Sequence, residues 1–309
     1  MAWAGSWTSP TRSRTSGSRS SLSRRVTGGR GPGSAAGVRL VAFDLDGTLI
    51  GPDLELHDEV VEAVAALRKR GVTVVIVTGR MHRSAEAYAR RLGLDGLPLV
   101  SFNGAMVRVV GRDETWWHRP IAAVQAVRVL DFLGGRGLEP LVFVGDRLYA
   151  GAPDPGRDLL YARISGAKPE HVGDLRAYLL GPPRLGPTKM IQVEDPGRMP
   201  GLYAAARARF AGELAVTTSY PFFLEFMHSD VGKGPALARV CRRLGVRRRE
   251  VAAFGDGMND LDMVRWAGLG VAMAGGPPEL LEAADRVVDG PPGLGVVRFI
   301  EENLLGGDG

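Results

Sequence analysis

Apolar residues run almost unbroken through VRLVAFDL, Val38 to Leu45. After a polar break, LHDEVVEAVAALRKRG places them at helical spacing up to Gly71, which predicts a strand and then a helix with a glycine C-cap. The β-branched run VTVVIVTGR, the helical SAEAYARRLGL and a further strand, LPLVSFNGAMV, continue a β-α-β-α-β order. Strands this uniformly apolar, alternating with helices, predict a parallel sheet covered on both faces, a doubly wound α/β core.

From about Gly111 to Ser229 the grammar changes. Alternating segments, LEPLVFVGDRLYAG, TKMIQVED, ELAVTTS and YPFFLEFM, are separated by two helical stretches near 121–133 and 199–212, the pattern of an α+β unit with an antiparallel sheet. The first grammar then resumes: GPALARVCRRLG as a helix, VAAFGDG as a strand, NDLDMVRWAG as a helix, LGVAMAG as a strand, PPELLEAAD as a helix, RVVDG as a strand, and a last helix near 293–304. The α+β unit, residues 111–229, is therefore expected as an insertion into a core made of residues 38–110 and 230–309.

Composition adds a tail. The chain of 309 residues has a net charge of +5, yet residues 1–37 carry Arg12, Arg14, Arg19, Arg24, Arg25 and Arg30 and no acid, so the remainder stands at −1. The folded part is not basic, which argues against nucleic acid as its partner. The tail is rich in Ser, Arg and Gly without apolar periodicity, and disorder is expected there. Its composition fits an organelle transit peptide; the preferred reading is an extension from a start codon set too early in a GC-rich coding sequence, and an RNA-binding arm ranks behind both. No apolar run approaches the ~18–20 residues of a membrane span. A single cysteine, Cys241, allows no internal disulfide and fits a core position in a cytoplasmic protein.

In parallel sheets ligands gather at the carboxyl ends of strands. Four polar clusters follow strand signals or open helices: Asp44, Asp46 and Thr48 in DLDGT; Thr78 and Gly79 in TGR; Lys233; and Asp256, Asn259 and Asp260 in GDGMND. Singly each has a plain reading: an Asp-Gly turn, a strand exit, a solvated lysine, and Asn259 as an N-cap answered by Asp262. A lysine opening a helix opposes the helix dipole unless an anion is also there.

Together the four clusters make a phosphoryl-transfer set. A carboxylate that attacks a phosphate dianion needs a cation to hold both anions. Asp44 and Asp256 offer hard oxygen ligands for Mg²⁺. Thr78, with nearby N–H groups including that of Gly79, and Lys233 would bind the non-bridging oxygens. Asp46, crowded by Asp44, is expected to have a raised pKa, so that one carboxylate is the nucleophile and the other carries the proton.

DLDGTL, VTGR, a lysine before a helix and GDGMND, in this order over about residues 38 to 304, resemble the four motifs of the haloacid dehalogenase superfamily. The resemblance implies a Rossmann-like core, Asp44 as nucleophile and Asp46 as acid/base. It also implies Thr78, Lys233 and Asn259 at the phosphate, Asp256 and the carbonyl of Asp46 joining Asp44 at magnesium, and Asp260 in support. An insertion between Thr78 and Lys233 is similar to the type IIB cap, and SFNGAMV, VGKGPAL and GVAMAGGPPEL look like the Cof-type branch, which implies hydrolysis of a small phosphorylated metabolite, foremost a sugar phosphate. A phosphomannomutase-like mutase shares cap type and both aspartates. A dehalogenase needs neither metal nor an acid at Asp46, and a non-catalytic binding protein on this fold would not need all four charged positions.

GRGPGSAAG has dinucleotide-like glycine spacing but no strand before it, and VGKG lacks the upstream glycine of a P-loop. His57, His82, His118, His171 and His228 show no ligand spacing and read as surface or loop residues. Trp116 and Trp117 read as core or hinge packing ahead of sugar contact.

Overall fold

The computed structural model describes residues 37–182, 186–218 and 221–306; the expectation for the tail falls outside them apart from Gly37. The chain opens with β1 (Leu40–Phe43), α1 (Asp58–Lys69), β2 (Thr73–Ile76) and α2 (His82–Arg91). Next come β3 (Pro98–Ser101), β4 (Met106–Val109) and β5 (Thr115–His118). The inserted unit holds α3 (Ala123–Gly134), β6 (Leu141–Val144), β7 (Arg147–Ala150), α4 (Pro155–Ser165), β8 (Glu170–His171), α5 (Leu175–Leu180), β9 (Lys189–Val193), α6 (Met199–Arg209), β10 (Leu214–Thr218) and β11 (Phe223–His228). Then follow α7 (Lys233–Leu244), β12 (Val251–Gly255), α8 (Leu261–Trp266), β13 (Leu269–Met273), α9 (Pro278–Ala283), β14 (Arg286–Val288) and α10 (Leu294–Phe299).

The core sheet has the order β14-β13-β12-β1-β2, with every pairing parallel. Successive side chains of a strand point to opposite faces, and here both faces are apolar and covered. Val41, Phe43, Val74, Ile76 and Phe254 pack with α1, α2 and α10. Leu40, Ala42, Val75 and Ala253 pack with α7 and α8, including Cys241. Burial pushes the Cys241 thiol up to about 12, so it serves as a small apolar side chain and not as a nucleophile. The first half of the chain places β2 on one side of β1, and the second half places β12 on the other. The strand order therefore reverses between β1 and β12, and in open parallel sheets the crevice for ligands lies at such a reversal, outside the carboxyl ends of the strands.

The second sheet, order β10-β11-β9-β6-β7-β8, is antiparallel except for the short edge pair β7–β8, which is parallel. One of its faces packs on α3, α5 and α6 through Val142, Met190, Leu224 and Phe226. The other, with Phe143, Ile191 and Phe223, lies on Met81, Phe102 and Met106 of the core. This is the inserted α+β cap of a doubly wound core.

The structure departs from the sequence reading at several places. LPLVSFNGAMV is not one strand: the turn Phe102–Gly104 breaks it, and β3 and β4 pair antiparallel. Phe102 and Asn103 both have φ of 52°, a left-handed conformation that a continuous strand cannot contain. Among its described residues the insertion has four helices where the pattern predicts two. The missed α5 is only six residues long, and α4 has Asp154 as a side-chain N-cap but a mostly half-exposed surface with little periodicity. Trp116 and Trp117, on β5, stack under Arg243 and Arg239 and pack against the core.

His82 is not a surface residue. It is 3% exposed at the first position of α2, its Nδ1 has no hydrogen-bond partner among the described residues, and burial, aided by Arg108 and opposed by Glu86, lowers it to about 4. A base whose folded pKa lies below its unfolded value binds more protons when unfolded, so stability falls as pH drops from about 6.5 toward 4. Between pH 7 and pH 5 the loss from this group is expected to be about 2 kcal/mol. Urea unfolding of the wild type and of His82→Gln at both pH values checks this: the variant should lose less stability than the wild type over the same interval.

Candidate active site

Three segments end at the crevice. Asp44 directly follows β1, and its N–H donates to the Phe254 carbonyl of β12 (2.9 Å). Asp256 directly follows β12. Lys233 is the first residue of α7, fully buried. Its Nζ donates to Asp44 Oδ1 and Asp260 Oδ1, 2.5 Å each. Asp260 also accepts the N–H groups of Asp256 and Gly257 on Oδ2 (3.0 and 2.9 Å). Asn259 is therefore not the helix cap: the carboxylate that gathers the N–H groups of this turn is Asp260. Asp262, expected to answer an Asn259 cap, lies instead against the start of α7, where a Cβ on Gly232 would meet its Oδ2 at 2.4 Å.

The carboxylates of Asp44, Asp256 and Asp260 lie within 4.8 Å of one another. Fully ionised, three carboxylates against one ammonium would leave two negative charges. Burial pushes the Asp44 carboxyl well above its ordinary value, with Lys233 opposing and Asp260, Asp256 and Asp46 adding. Burial likewise raises Asp256 to about 6, reinforced by Asp260 and opposed by Lys233. Lys233 itself is held protonated: burial works against its charge, and Asp260 and Asp44 more than compensate. Such a set fits a divalent cation with hard oxygen ligands. Because both Asp260 oxygens are already engaged, Asp44 and Asp256 are the side chains left for the metal. Thr48 Oγ1 donates to Asp256 Oδ1 at 3.1 Å and orients it.

Asp46 has a partner of its own besides its neighbour Asp44. Arg80 grips it with two hydrogen bonds, Nε to Oδ2 at 2.7 Å and Nη2 to Oδ1 at 2.5 Å, so its immediate partner is a cation. Arg80 is the third residue of the TGR segment, and sequence reasoning assigned only the first two. Thr78 is buried, and its Oγ1 accepts the Arg80 N–H at 3.2 Å. The carbonyl of Gly79 accepts from Lys189 of the cap at 3.1 Å. Asn259 donates to Asn103 at 3.0 Å. The structure thus brings Asp44, Asp256, Asp260 and Lys233 into direct contact or close proximity, links Thr78 to Asp46 through Arg80, and reaches Asn259 through Asn103.

Residues 41–300 match the haloacid dehalogenase-like hydrolase family. The chain belongs to that family. It is a phosphoric monoester hydrolase of the Cof family. It is 31% identical to a phosphoglycolate phosphatase of Methanopyrus kandleri over 268 residues, 86% of this chain and 97% of the relative. It is 29% identical to the 5-amino-6-(5-phospho-D-ribitylamino)uracil phosphatase YitU of Bacillus subtilis, over 85% of this chain and 96% of the relative. Among solved structures, TM0651 of Thermotoga maritima superposes with a TM-score of 0.75 at 27% identity, covering 86% of this chain and 97% of that one.

Gly47 shows how tightly the two halves meet. Its φ is +82°, and a Cβ there would lie 2.1 Å from Asp256 Oδ2. Gly47→Ala must displace the Asp256 carboxylate, and kcat/KM for an aryl phosphate is expected to fall at least about 100-fold, the scale of an ångström-sized misplacement. Steady-state kinetics, with a melting curve to confirm folding, check this; near-wild-type turnover would contradict the packing described.

Proposed function

We propose that this hydrolase is a magnesium-dependent phosphatase for a small phosphorylated metabolite, foremost a sugar phosphate, working through an aspartyl-phosphate on Asp44. The observation that carries the reading is the buried Asp44 carboxylate, set between Lys233 and Asp256 at the strand-order reversal. Two of its relatives are named for phosphoglycolate and for a phosphorylated ribitylamino-uracil, which supports a small organic phosphate as substrate. Nucleic acid and membrane are not partners in this reading, and the setting is cytoplasmic. No helix among the described residues is long and apolar enough to cross a membrane.

Asp44 and Asp256, with the main-chain carbonyl of Asp46, would hold magnesium, which supplies the positive charge that lets a carboxylate approach a phosphate dianion. Asp44 forms a bond to phosphorus as the bond to the leaving oxygen breaks. Lys233, Thr78, the N–H groups around Gly79 and Asn259 stabilise the charge on the non-bridging oxygens. Asp46 gives a proton to the leaving oxygen, then takes one from the water that attacks phosphorus and frees Asp44. Arg80 occupies both Asp46 oxygens in this structure, so Asp46 must release Arg80 and take a proton from water before it can pass one to the leaving oxygen. Residues 111–229 form the cap in this reading and supply the contacts to the leaving group.

Phosphate release from a panel of sugar phosphates, nucleotides and cofactor phosphates tests the reading. Turnover should require Mg²⁺, vanish with EDTA and return when Mg²⁺ is restored. Asp44→Asn should lower kcat by at least about 1,000-fold, since the nucleophile is lost. An Asp44→Asn variant with near-wild-type turnover would sink the mechanism.

A further inference from the structure

Lys189 and Glu225 are charged residues on the core-facing side of the cap sheet, and both are buried, 3% and 2% exposed. They pair at 3.0 Å. Each also reaches out of the cap. Lys189 Nζ donates to the carbonyl of Gly79, in the segment that carries Thr78 and Arg80. Glu225 Oε2 accepts from Asn103 Nδ2 at 3.2 Å, and Asn103 Oδ1 accepts from Asn259 Nδ2 at 3.0 Å. A single polar chain therefore runs from the strand exit at Gly79, through two cap strands, to the turn that carries Asp256 and Asp260.

The direction of this chain is fixed by chemistry. A carboxylate paired with a lysine only accepts, so Asn103 must turn its NH₂ toward Glu225 and its carbonyl toward Asn259. Asn259 must then offer its own NH₂, and its second N–H finds no acceptor among the described residues. The Asn103 backbone is left-handed, with φ of 52°, and the next residue is Gly104, where a Cβ would meet the Gly232 carbonyl at 2.2 Å. The turn is thus wedged against the residue before Lys233. Backbone held in a sparsely populated region by its surroundings is typical of positions whose geometry matters to function.

We propose that Glu225 and Lys189, acting through Asn103, are positioning residues for the phosphoryl site: they set the Asn259 amide as a donor toward the transferring phosphoryl group and clamp the Thr78–Arg80 segment at Gly79. The cap thereby organises the chemistry in addition to meeting the leaving group. This rests on the phosphatase reading above.

The test uses the full chain with Mg²⁺, an aryl phosphate as substrate and inorganic phosphate as inhibitor. Asn103→Gly keeps the left-handed backbone accessible and deletes the amide. Lys189→Met combined with Glu225→Leu removes both charges and strands neither. Both variants should melt as cooperatively as wild type, lower kcat about 10- to 100-fold, the scale of a lost or misaligned oxyanion donor, and weaken phosphate inhibition in step. Glu225→Gln, which keeps an acceptor oxygen, should retain more kcat than Glu225→Leu. Folded Asn103→Gly with wild-type kcat, or with unchanged phosphate inhibition, overturns the proposal. A loss confined to one leaving group, with phosphate inhibition intact, also overturns it and makes Lys189 and Glu225 specificity residues. An inactive wild-type enzyme overturns the phosphatase reading and this inference together.

Discussion

The fully buried ammonium of Lys233, held between Asp44 and Asp260, is the contact on which the site depends. Taking a cation and two carboxylates out of water costs several kcal/mol per ion, and such groups rarely add net stability over apolar replacements. Their retention is therefore better explained by what they arrange. Lys233, at the start of α7, joins the end of β1 and the turn after β12, 189 and 27 residues away along the chain. The remaining hydrogen bonds of Asp260 serve the same end, since its second oxygen holds the turn that presents Asp256, while Asp262 packs against the helix start that presents Lys233.

That arrangement is possible because the core sheet is so regular. β1, β12 and β13, four or five residues long and buried throughout, lie side by side in register, and Asp44 and Asp256, just beyond β1 and β12, come together at their ends. Phe43 and Phe254, paired in register on β1 and β12 with ring centroids 4.9 Å apart, pack just below the strand ends that carry Asp44 and Asp256. Gly47 then lets the chain after β1 turn back over Asp256 without a side chain in between.

Much of this was legible in the sequence, and the parts that were not share a reason. Uniformly apolar runs betrayed the parallel strands, and the order of DLDGT, TGR, Lys233 and GDGMND located the residues that the fold gathers. Arg80 was overlooked because nothing local says that a guanidinium 34 residues downstream will grip Asp46. Asn103 was overlooked because SFNGAMV has the composition of a strand, and only its left-handed backbone, fixed by packing, turns the amide toward Asn259 and Glu225. Lys189 and Glu225 look like ordinary charges within alternating strands. Burial on the core-facing side of the cap, which one sequence does not disclose, gives them a partner and a place.

The pairing of cations with carboxylates also explains how two aspartates one residue apart can differ. Asp44 is nearly sealed, and its partner Lys233 is sealed completely; the side chain of Asp46 is one-third exposed, 33%, and its partner is the guanidinium of Arg80. A nucleophile for phosphorus gains from a dry, preorganised surrounding, because water competes for both the attacking oxygen and the phosphorus. A group that passes a proton to a leaving oxygen and then takes one from water has to remain reachable by both. In the proposed reading the same short stretch, Asp44-Leu45-Asp46, would meet these opposed demands by burying Leu45 and facing its two carboxylates toward different cations, Lys233 at the start of α7 and Arg80 on the segment that follows β2.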